Sequence, residues 1–339
     1  MLWVFNLLII KKILMLIYYR PYTDPYLNIA AEEYWVKNSD EDICMIWVNE
    51  PSVIIGKHQN AFAEINYPYV RSNKIPVIRR ISGGGAVYHD RGNVNFSFIR
   101  KTGKTNQVDF GKFTSVIVNF IQSLGIDVNV SKRNSLYIGI HKFSGHAEHI
   151  FHDKVLHHGT MLFNTNLNTL QQSLTPVKEY QSKAMPSERS NVMNIAPLLP
   201  GIPDIQQFIQ LFTFWLKDYF EEAIYFIPEP NQLQEIKLLA NKKYTSWDWN
   251  FGYSPAYSFQ TDILTKSGNV AITCKIENGK FVSATFPQVQ ENNLLTGLFD
   301  GLTGLLHKEE EIDKFVEKNK PDLELAGINT VNFSEAFFR

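Results

Sequence analysis

Residues 76–99, PVIRRISGGGAVYHDRGNVNFSFI, constrain the fold more than any other part of the chain. PVIRRIS reads as a strand that runs into Gly83-Gly84-Gly85, and AVYHD is joined to the strand NVNFSFI by only Arg91-Gly92. In NVNFSFI, Val94, Phe96 and Phe98 alternate with Asn93, Asn95 and Ser97, the period of a half-buried strand. Three consecutive glycines are costly, because each surrenders more conformational freedom on folding than any other residue. Their place beside Arg79-Arg80 implies either positive-φ backbone or a very close approach of two chains.

The remaining pattern mixes helices with hairpins. DPYLNIAAEEYWVK reads as a helix with Asp24 as N-cap and Pro25 at its first position. ICMIWV (43–48) and SVIIGK (52–57) read as strands flanking the turn Asn49-Glu50-Pro51. Residues 110–124 carry Phe113, Val116, Ile117, Phe120 and Leu124 at helical spacing, stopped by Gly125. Residues 144–164 look like a hairpin turning near Asp153-Lys154, and a helix starting at Asp204 follows. NVAITCKI and KFVSATF flank Glu277-Asn278-Gly279, a hairpin signal. Hairpins outnumber βαβ units, so the fold class is α+β with a mixed, largely antiparallel sheet flanked by helices. A length of 339 residues suggests two domains. We place a main domain at 15–246, a linker at 247–256 in the aromatic stretch SWDWNFGYSPAYS, and a small α+β C-terminal domain at 257–339.

Residues 1–14, MLWVFNLLIIKKIL, are apolar, but Lys11 and Lys12 interrupt the run after ten residues. That is too short for a spanning helix, and no small-residue cleavage site follows. Two readings stay open: an N-terminal extension from an over-long start, with Met15 opening the first strand, or a weak membrane anchor. A formal net charge of −1 gives no polycationic bias towards nucleic acid. Cys44 and Cys274 are neither a disulfide framework nor a zinc site, and they fit a reducing, cytoplasmic setting.

The candidate chemistry centres on two segments. Backbone N–H groups around Gly83-Gly84-Gly85 could form a nest for an oxyanion, with Arg80 adding charge-assisted hydrogen bonds to phosphate. The bland alternative is a bulged hairpin where two backbones cross. The segment is neither GxxxxGK[ST] nor GxGxxG, so Walker and Rossmann loops are excluded. Lys142 in HKFSGHAEH is either a solvated strand lysine or a ligand contact, with Ser144-Gly145 opening space beside its ammonium group. His141, His146, His149, His152, His157 and His158 cluster in sequence, but strand alternation scatters them over both faces of a hairpin. Packing or hydrogen bonding by His158 is favoured over a metal site. Cys44 sits inside a buried strand, and neither cysteine has the electropositive, exposed setting of a nucleophile. No GxSxG elbow is present.

These segments together resemble the lipoate–protein ligase A family, related to biotin protein ligases and class II aminoacyl-tRNA synthetases. RRISGGGAVYHDRGN is similar to that family's lipoate- and adenylate-binding loop and KFSGHA to its catalytic-lysine segment. HHGTMLFNTNL, ERSNVMNI and SWDWNFGYSPAYS match in order. The resemblance implies a class II synthetase/biotin ligase-like catalytic domain in which Arg80, Gly85, Ala86, Val87, Tyr88 and Lys142 bind ATP and the adenylate. It also implies that Gly83, Gly84, His89 and Lys142 bind lipoate, and that Lys142 is catalytic. Two positions depart from the pattern: Ser135 stands where an Asp is usual, and His146 where a smaller Ser or Asn is common.

The implied activity is ATP-dependent conversion of lipoate or octanoate to the acyl-adenylate, with transfer to a lysine of a carrier. Mg²⁺ would accompany ATP, and Ile81 and Val87 would wall the tube for the acyl chain. The implied partners are lipoyl domains of 2-oxo acid dehydrogenase acyltransferase subunits and the glycine cleavage H protein. No nucleic acid or membrane is expected, and the expected state is a monomer. Three rival readings carry features against them. An octanoyl transferase would need a cysteine after HHGT, a biotin ligase would need a GRGRxG-type loop, and a non-catalytic lipoate-binding protein would not need Lys142.

Overall fold

The computed structural model describes residues 15–102, 110–266, 268–286 and 293–339. The apolar stretch 1–14, with its two open readings, lies outside the described residues. Met15 lies in the first strand, and no helix among the described residues is long and apolar enough to cross a membrane.

In chain order, the first half comprises β1 (Met15–Tyr19), α1 (Pro25–Asn38), β2 (Asp42–Trp47), β3 (Ser52–Ile55), α2 (Ala61–Glu64), α3 (Tyr67–Ser72), β4 (Val77–Arg79), β5 (Val87–His89) and β6 (Asn93–Lys101). Then come α4 (Phe110–Ser123), β7 (Asn129–Val130), β8 (Leu136–Ile138), β9 (His141–Phe151), β10 (Lys154–Leu162), α5 (Leu167–Ser173) and β11 (Gln181–Ser182). The rest is α6 (Ile205–Tyr219), β12 (Ile224–Tyr225), α7 (Pro230–Leu239), β13 (Tyr257–Thr265), β14 (Gly268–Glu277), β15 (Lys280–Thr285) and helices beyond Asn293.

The main sheet has the order β12-β1-β2-β6-β10-β9-β8-β7, parallel only where β1 meets β12 and β2. It is covered on both faces, which explains why β2 is buried throughout. Cys44, Ile46, Phe96 and Phe98 face the core beneath α4 and α6. Ile43, Met45, Trp47 and Ile99 face the core beneath α1. The N-terminal helix forms as its sequence demands: Asp24 caps the amides of Tyr26 and Leu27, and Pro25 opens the first turn. Gly125, at φ +82°, ends α4 where a Cβ would be strained.

Two expectations are corrected. The strands on either side of Arg91-Gly92 do not pair: β5 joins β3 and β4 in a separate three-stranded sheet, while β6 lies between β2 and β10. The link must cross between sheets, and at Gly92 a Cβ would lie 2.0 Å from the carbonyl oxygen of Asn164. The same holds for the strands around Asn49-Glu50-Pro51, since β2 and β3 also belong to different sheets. Strand β6 is not half-buried either. Asn93, Asn95 and Ser97 are all fully buried. Their row faces α1, where Ser97 Oγ donates to Glu32 and receives the indole N–H of Trp47.

The other hairpins form as read. β9 and β10 pair from Phe151↔Lys154 to Ser144↔Met161. β14 and β15 turn through Asn278 and Gly279, both at positive φ. A four-stranded antiparallel sheet, β11-β13-β14-β15, carries the C-terminal core. Residues 240–252 wind into two π-helical segments pinned to the end of β4. Arg79 donates to the carbonyls of Trp249 and Asn250, and the Trp249 indole donates to the Arg79 carbonyl at 2.7 Å.

Candidate active site

The glycine run sits where two chains nearly touch. A Cβ on Gly56 would stand 2.0 Å from the Gly84 carbonyl oxygen, and Gly84 itself has φ +88°. A Cβ on Gly85 would lie 2.9 Å from Ser187 Oγ. Both demands posed by the sequence are therefore present: positive-φ backbone and close approach.

Arg80, only 5% exposed, holds this loop from inside. Its guanidinium donates to Ile54 O, Ser82 Oγ, Gly83 O and Gly85 O, at 3.2, 2.9, 2.5 and 2.9 Å. The resemblance gives Arg80 a phosphate; here its hydrogen bonds shape the loop that would face one. Ser82 Oγ also lies 2.6 Å from His158 Nε2, whose Nδ1 bonds Glu32 Oε1 at 2.7 Å. Glycine loop, β10 and α1 are thus tied through buried polar atoms.

Two connected cavities flank the loop. The smaller, about 240 Å³, is lined by Ile29, Trp47, Ile54, Val87, His89 and Asn95 among others. The larger, about 710 Å³, is lined by Tyr88, Leu170, Leu174, Glu64 and Arg189 among others. Their common wall includes Ala86, Val87, Lys142, Gly145, Thr160 and Ser187. Ile81 packs in the core beneath α1 and does not line either cavity, whereas Val87 lines both.

Lys142 is held at the junction by its backbone. Its N–H donates to Asn191 O at 2.8 Å, and its carbonyl accepts from Met193 N–H at 3.0 Å. Its ammonium group has no hydrogen-bond partner among the described residues. Burial lowers its pKa from the ordinary lysine value, partly offset by the Glu188 carboxylate. Gly145 leaves the space beside it, since a Cβ there would come within 3.4 Å of Lys142 Nζ. The Ser-Gly step after the lysine thus has the physical use expected of it.

A strap formed by residues 183–190 closes over the junction. Ser187 Oγ accepts the Ala86 N–H at 2.7 Å and donates to the buried Glu64 carboxylate. Gln59 adds a bond to Ser187 Oγ at 3.1 Å. Replacing Ser187 with Ala removes this joint. We expect a three- to tenfold rise in the KM for the nucleotide that the family resemblance implies, with a smaller change in kcat, because one neutral hydrogen bond contributes about 1 kcal/mol. Steady-state kinetics with nucleotide varied checks this, and an unchanged KM would show that the strap carries no binding energy.

Both departures from the family pattern lie here. Ser135 lines the smaller cavity. His146 also lines that cavity, with its ring packed against Phe96 and Thr114 and bonded to Ser144 Oγ and to His157, which bonds Glu148. Beside it, Gly159 makes room for the Phe96 ring, which a Cβ there would meet at 2.5 Å. Both cysteines are fully buried, and neither lines a described cavity. Sequence reasoning missed Trp47, Asn95, Glu64 and Ser187. The polar row of β6 was the available signal for Asn95.

Comparison with known proteins agrees with this geometry. Residues 24–217 match the lipoyl protein ligase A/B catalytic domain family. Lipoate–protein ligase 1 of Staphylococcus aureus is 37% identical over 297 residues, covering 86% of this chain and 90% of that protein. Lipoate–protein ligase LplJ of Bacillus subtilis is 35% identical over 263 residues, covering 76% and 79%. A putative lipoate protein ligase of Thermoplasma acidophilum, solved with bound lipoic acid, superimposes with a TM-score of 0.59 at 25% identity, covering 70% of this chain and 98% of that one. A lipoate–protein ligase A bound with ATP gives the same four figures. A bipartite ligase from T. acidophilum, studied with its E2 lipoyl domain, gives a TM-score of 0.58 at 25% identity, covering 71% and 96%. The α+β architecture is that of lipoate–protein ligases, and the chain belongs to the lipoyl protein ligase A/B catalytic domain family and is a ligase.

Proposed function

We propose that the protein activates lipoate or octanoate with ATP and transfers the acyl group to a lysine on lipoyl domains of 2-oxo acid dehydrogenase complexes and on the glycine cleavage H protein. The observation that carries this reading is the position of Lys142: an ammonium with no hydrogen-bond partner among the described residues, on the wall between a small cavity and a larger one. The small cavity suits an eight-carbon acid with its carboxylate at the junction. The larger suits a nucleotide, bounded by Ala86, Val87 and Tyr88 as the family resemblance implies.

In this reading the acid's carboxylate oxygen attacks the α-phosphorus of ATP, the bond to the β-phosphate oxygen breaks, and pyrophosphate leaves. Two anions must meet, so a fixed cation between them lowers the barrier. Lys142 supplies that charge, and Arg80 keeps the Gly83–Gly85 backbone in place beside it. In the second step the carrier's lysine amine attacks the acyl carbonyl, AMP leaves and an amide forms. The named acceptors follow from the family resemblance, with support from the archaeal relative studied alongside its E2 lipoyl domain.

No group of three or more metal-ligating side chains converges among the described residues. Magnesium in phosphate sites takes most of its ligands from phosphate and water, so a sparse protein donor set fits it. Glu188, at the junction and paired with Arg133 at 3.0 Å, is the carboxylate that would help to hold it. The ion would neutralise the departing pyrophosphate.

Lipoate-dependent exchange of labelled pyrophosphate into ATP tests the reading. Its pH dependence adds a check with a definite sign. Lys142 acts as a cation and its pKa is lowered by burial, so kcat/KM stands below that pKa and is lost above it. The alkaline limb should therefore fall below the ordinary lysine value of about 10.4. A flat profile through that region would remove the charge of Lys142 from the argument.

A further inference from the structure

One stretch of chain, residues 178–193, runs from the C-terminal core across the cavity junction to Lys142, and it is fixed at three points. At its far end Asn191 and Met193 bond the backbone of Lys142. In its middle Ser187 bonds Ala86, Glu64 and Gln59. At its near end stands Lys178, a cation that the adenylation and transfer steps do not use. Lys178 Nζ donates to Thr261 Oγ1 on β13 at 3.2 Å and to the carbonyl of Ala336 in the last helix. It also lies over the Phe259 ring, 5.0 Å from its centre.

Four residues separate this fixing from the strap. Tyr180 packs its ring against Phe62, Tyr257 and Phe259. Gln181 and Ser182 form β11 and pair with Ser258 and Tyr257 at the edge of the C-terminal sheet. Ser182 Oγ accepts the Ala184 N–H at 3.2 Å as the strap begins. The group that catches Ser187 rests on the same core. Glu64 and Phe62 share the single turn of α2, and Phe62 packs among Tyr180, His307 and Phe338. Both halves of the Ser187–Glu64 joint are therefore held from one aromatic cluster.

Lys178 is a poor choice for packing alone. Burial disfavours its charge and pulls its pKa down to about 8. Thr261 Oγ1 itself donates to the Ala336 carbonyl, so that acceptor stays bonded without the lysine. A methionine would match the stem and avoid burying a charge. What the ammonium adds is direction, because it ties the segment leading into the strap to the end of the chain. We propose that Lys178 is a positioning residue for the nucleotide, anchoring the strap to the C-terminal core so that Ser187 stays against Ala86 beside the glycine loop. This rests on the acyl-activating reading above, in which the larger cavity takes ATP.

The test is a double-mutant cycle in lipoate-dependent pyrophosphate exchange, using the full chain with ATP varied. Lys178→Met is expected to raise the KM for ATP about three- to tenfold with a smaller change in kcat, the scale of one weakened hydrogen-bonded joint. Ser187→Ala acts on the same joint, so the double variant should show the KM of the worse single variant and not the product of the two effects. An unchanged KM in folded Lys178→Met, or multiplicative effects in the double variant, overturns the proposal and leaves the ligase reading intact. Absence of exchange from folded wild type overturns both. Thr261→Val keeps Lys178 and the side-chain shape, removes one of its acceptors, and should shift the KM in the same direction even if Lys178→Met fails to fold. A readout independent of activity is native trypsin cleavage after Lys183 and Arg189, both in the strap. It should quicken about threefold or more in either folded variant, as expected for a locally loosened segment. Cleavage at the wild-type rate would show that Lys178 does not hold the strap.

Discussion

Lys142→Ala is expected to reduce lipoate-dependent pyrophosphate exchange by about 10²–10³-fold while leaving the protein folded, the loss typical of one preorganised electrostatic group. The side chain is mostly buried, yet its ammonium has no hydrogen-bond partner among the described residues, so its removal strands no partner. In the proposed adenylation, what it removes is the charge between carboxylate and α-phosphate. The loss should appear in kcat as well as in kcat/KM, because the repulsion it offsets grows as the two groups approach the transition state. Lys142→Arg would keep the charge but bring a planar fork into a space so narrow that even a Cβ added at Gly145 would lie 3.3 Å from Lys142 Cε. It should therefore rescue only partly. A second assay separates the half-reactions: with preformed lipoyl-adenylate, Lys142→Ala should lose much less activity in transfer to a lipoyl domain. Equal losses in the two assays would mean that Lys142 serves general positioning instead of adenylation. Wild-type exchange rates in Lys142→Ala would remove it from the chemistry altogether.

Much of this architecture was legible in the sequence wherever local signals and the tertiary fold agree. Asp24 and Pro25 define the start of α1, Gly125 the end of α4 and Asn278-Gly279 the last hairpin, because each acts within a few residues of itself. Sheet membership was not legible. A two-residue link normally makes a hairpin, but Arg91-Gly92 joins two sheets because β6 finds its partners in β2 and β10, far away in sequence. Period-2 polarity also misled. Asn95 marks the wall of the small cavity, and Asn93 and Ser97 mark the buried hydrogen bonds around it, whereas the same pattern on an outer sheet marks water. The site showed the same division. The glycines and Lys142 could be found because their local chemistry is unusual. Glu64 and Ser187 could not, because a glutamate and a serine acquire their meaning only when chain segments 123 residues apart come together.

Three arginines in one motif, Arg79, Arg80 and Arg91, look alike in sequence and should differ widely when replaced. Arg79→Met is expected to destabilise the protein by about 3–5 kcal/mol, the range for breaking a buried, fully bonded cation. Its guanidinium is 0% exposed and donates to the carbonyls of Gly56, Lys57, Gln59, Trp249 and Asn250 and to Ser254 Oγ. No carboxylate among the described residues balances it; burial pulls its pKa down to about 10, so it stays charged at neutral pH. Methionine matches the stem but leaves these acceptors unpaired inside the protein, and each such loss costs about 1–3 kcal/mol before relaxation. Two distant segments, 56–59 and 249–254, would lose their common anchor. The first of these abuts Gly84, so the glycine loop should loosen with them. Arg91→Met, by contrast, removes a solvent-facing pair with Glu50 and should leave stability nearly unchanged. Chemical denaturation of the two variants beside wild type, followed by tryptophan fluorescence and far-ultraviolet circular dichroism, separates the cases. In Arg79→Met the fluorescence transition should move to lower denaturant at least as far as the dichroism transition, since Trp249 sits on Arg79. Midpoints within error of wild type would show that water or local rearrangement satisfies those carbonyls. The anchoring role given to Arg79 would then be wrong.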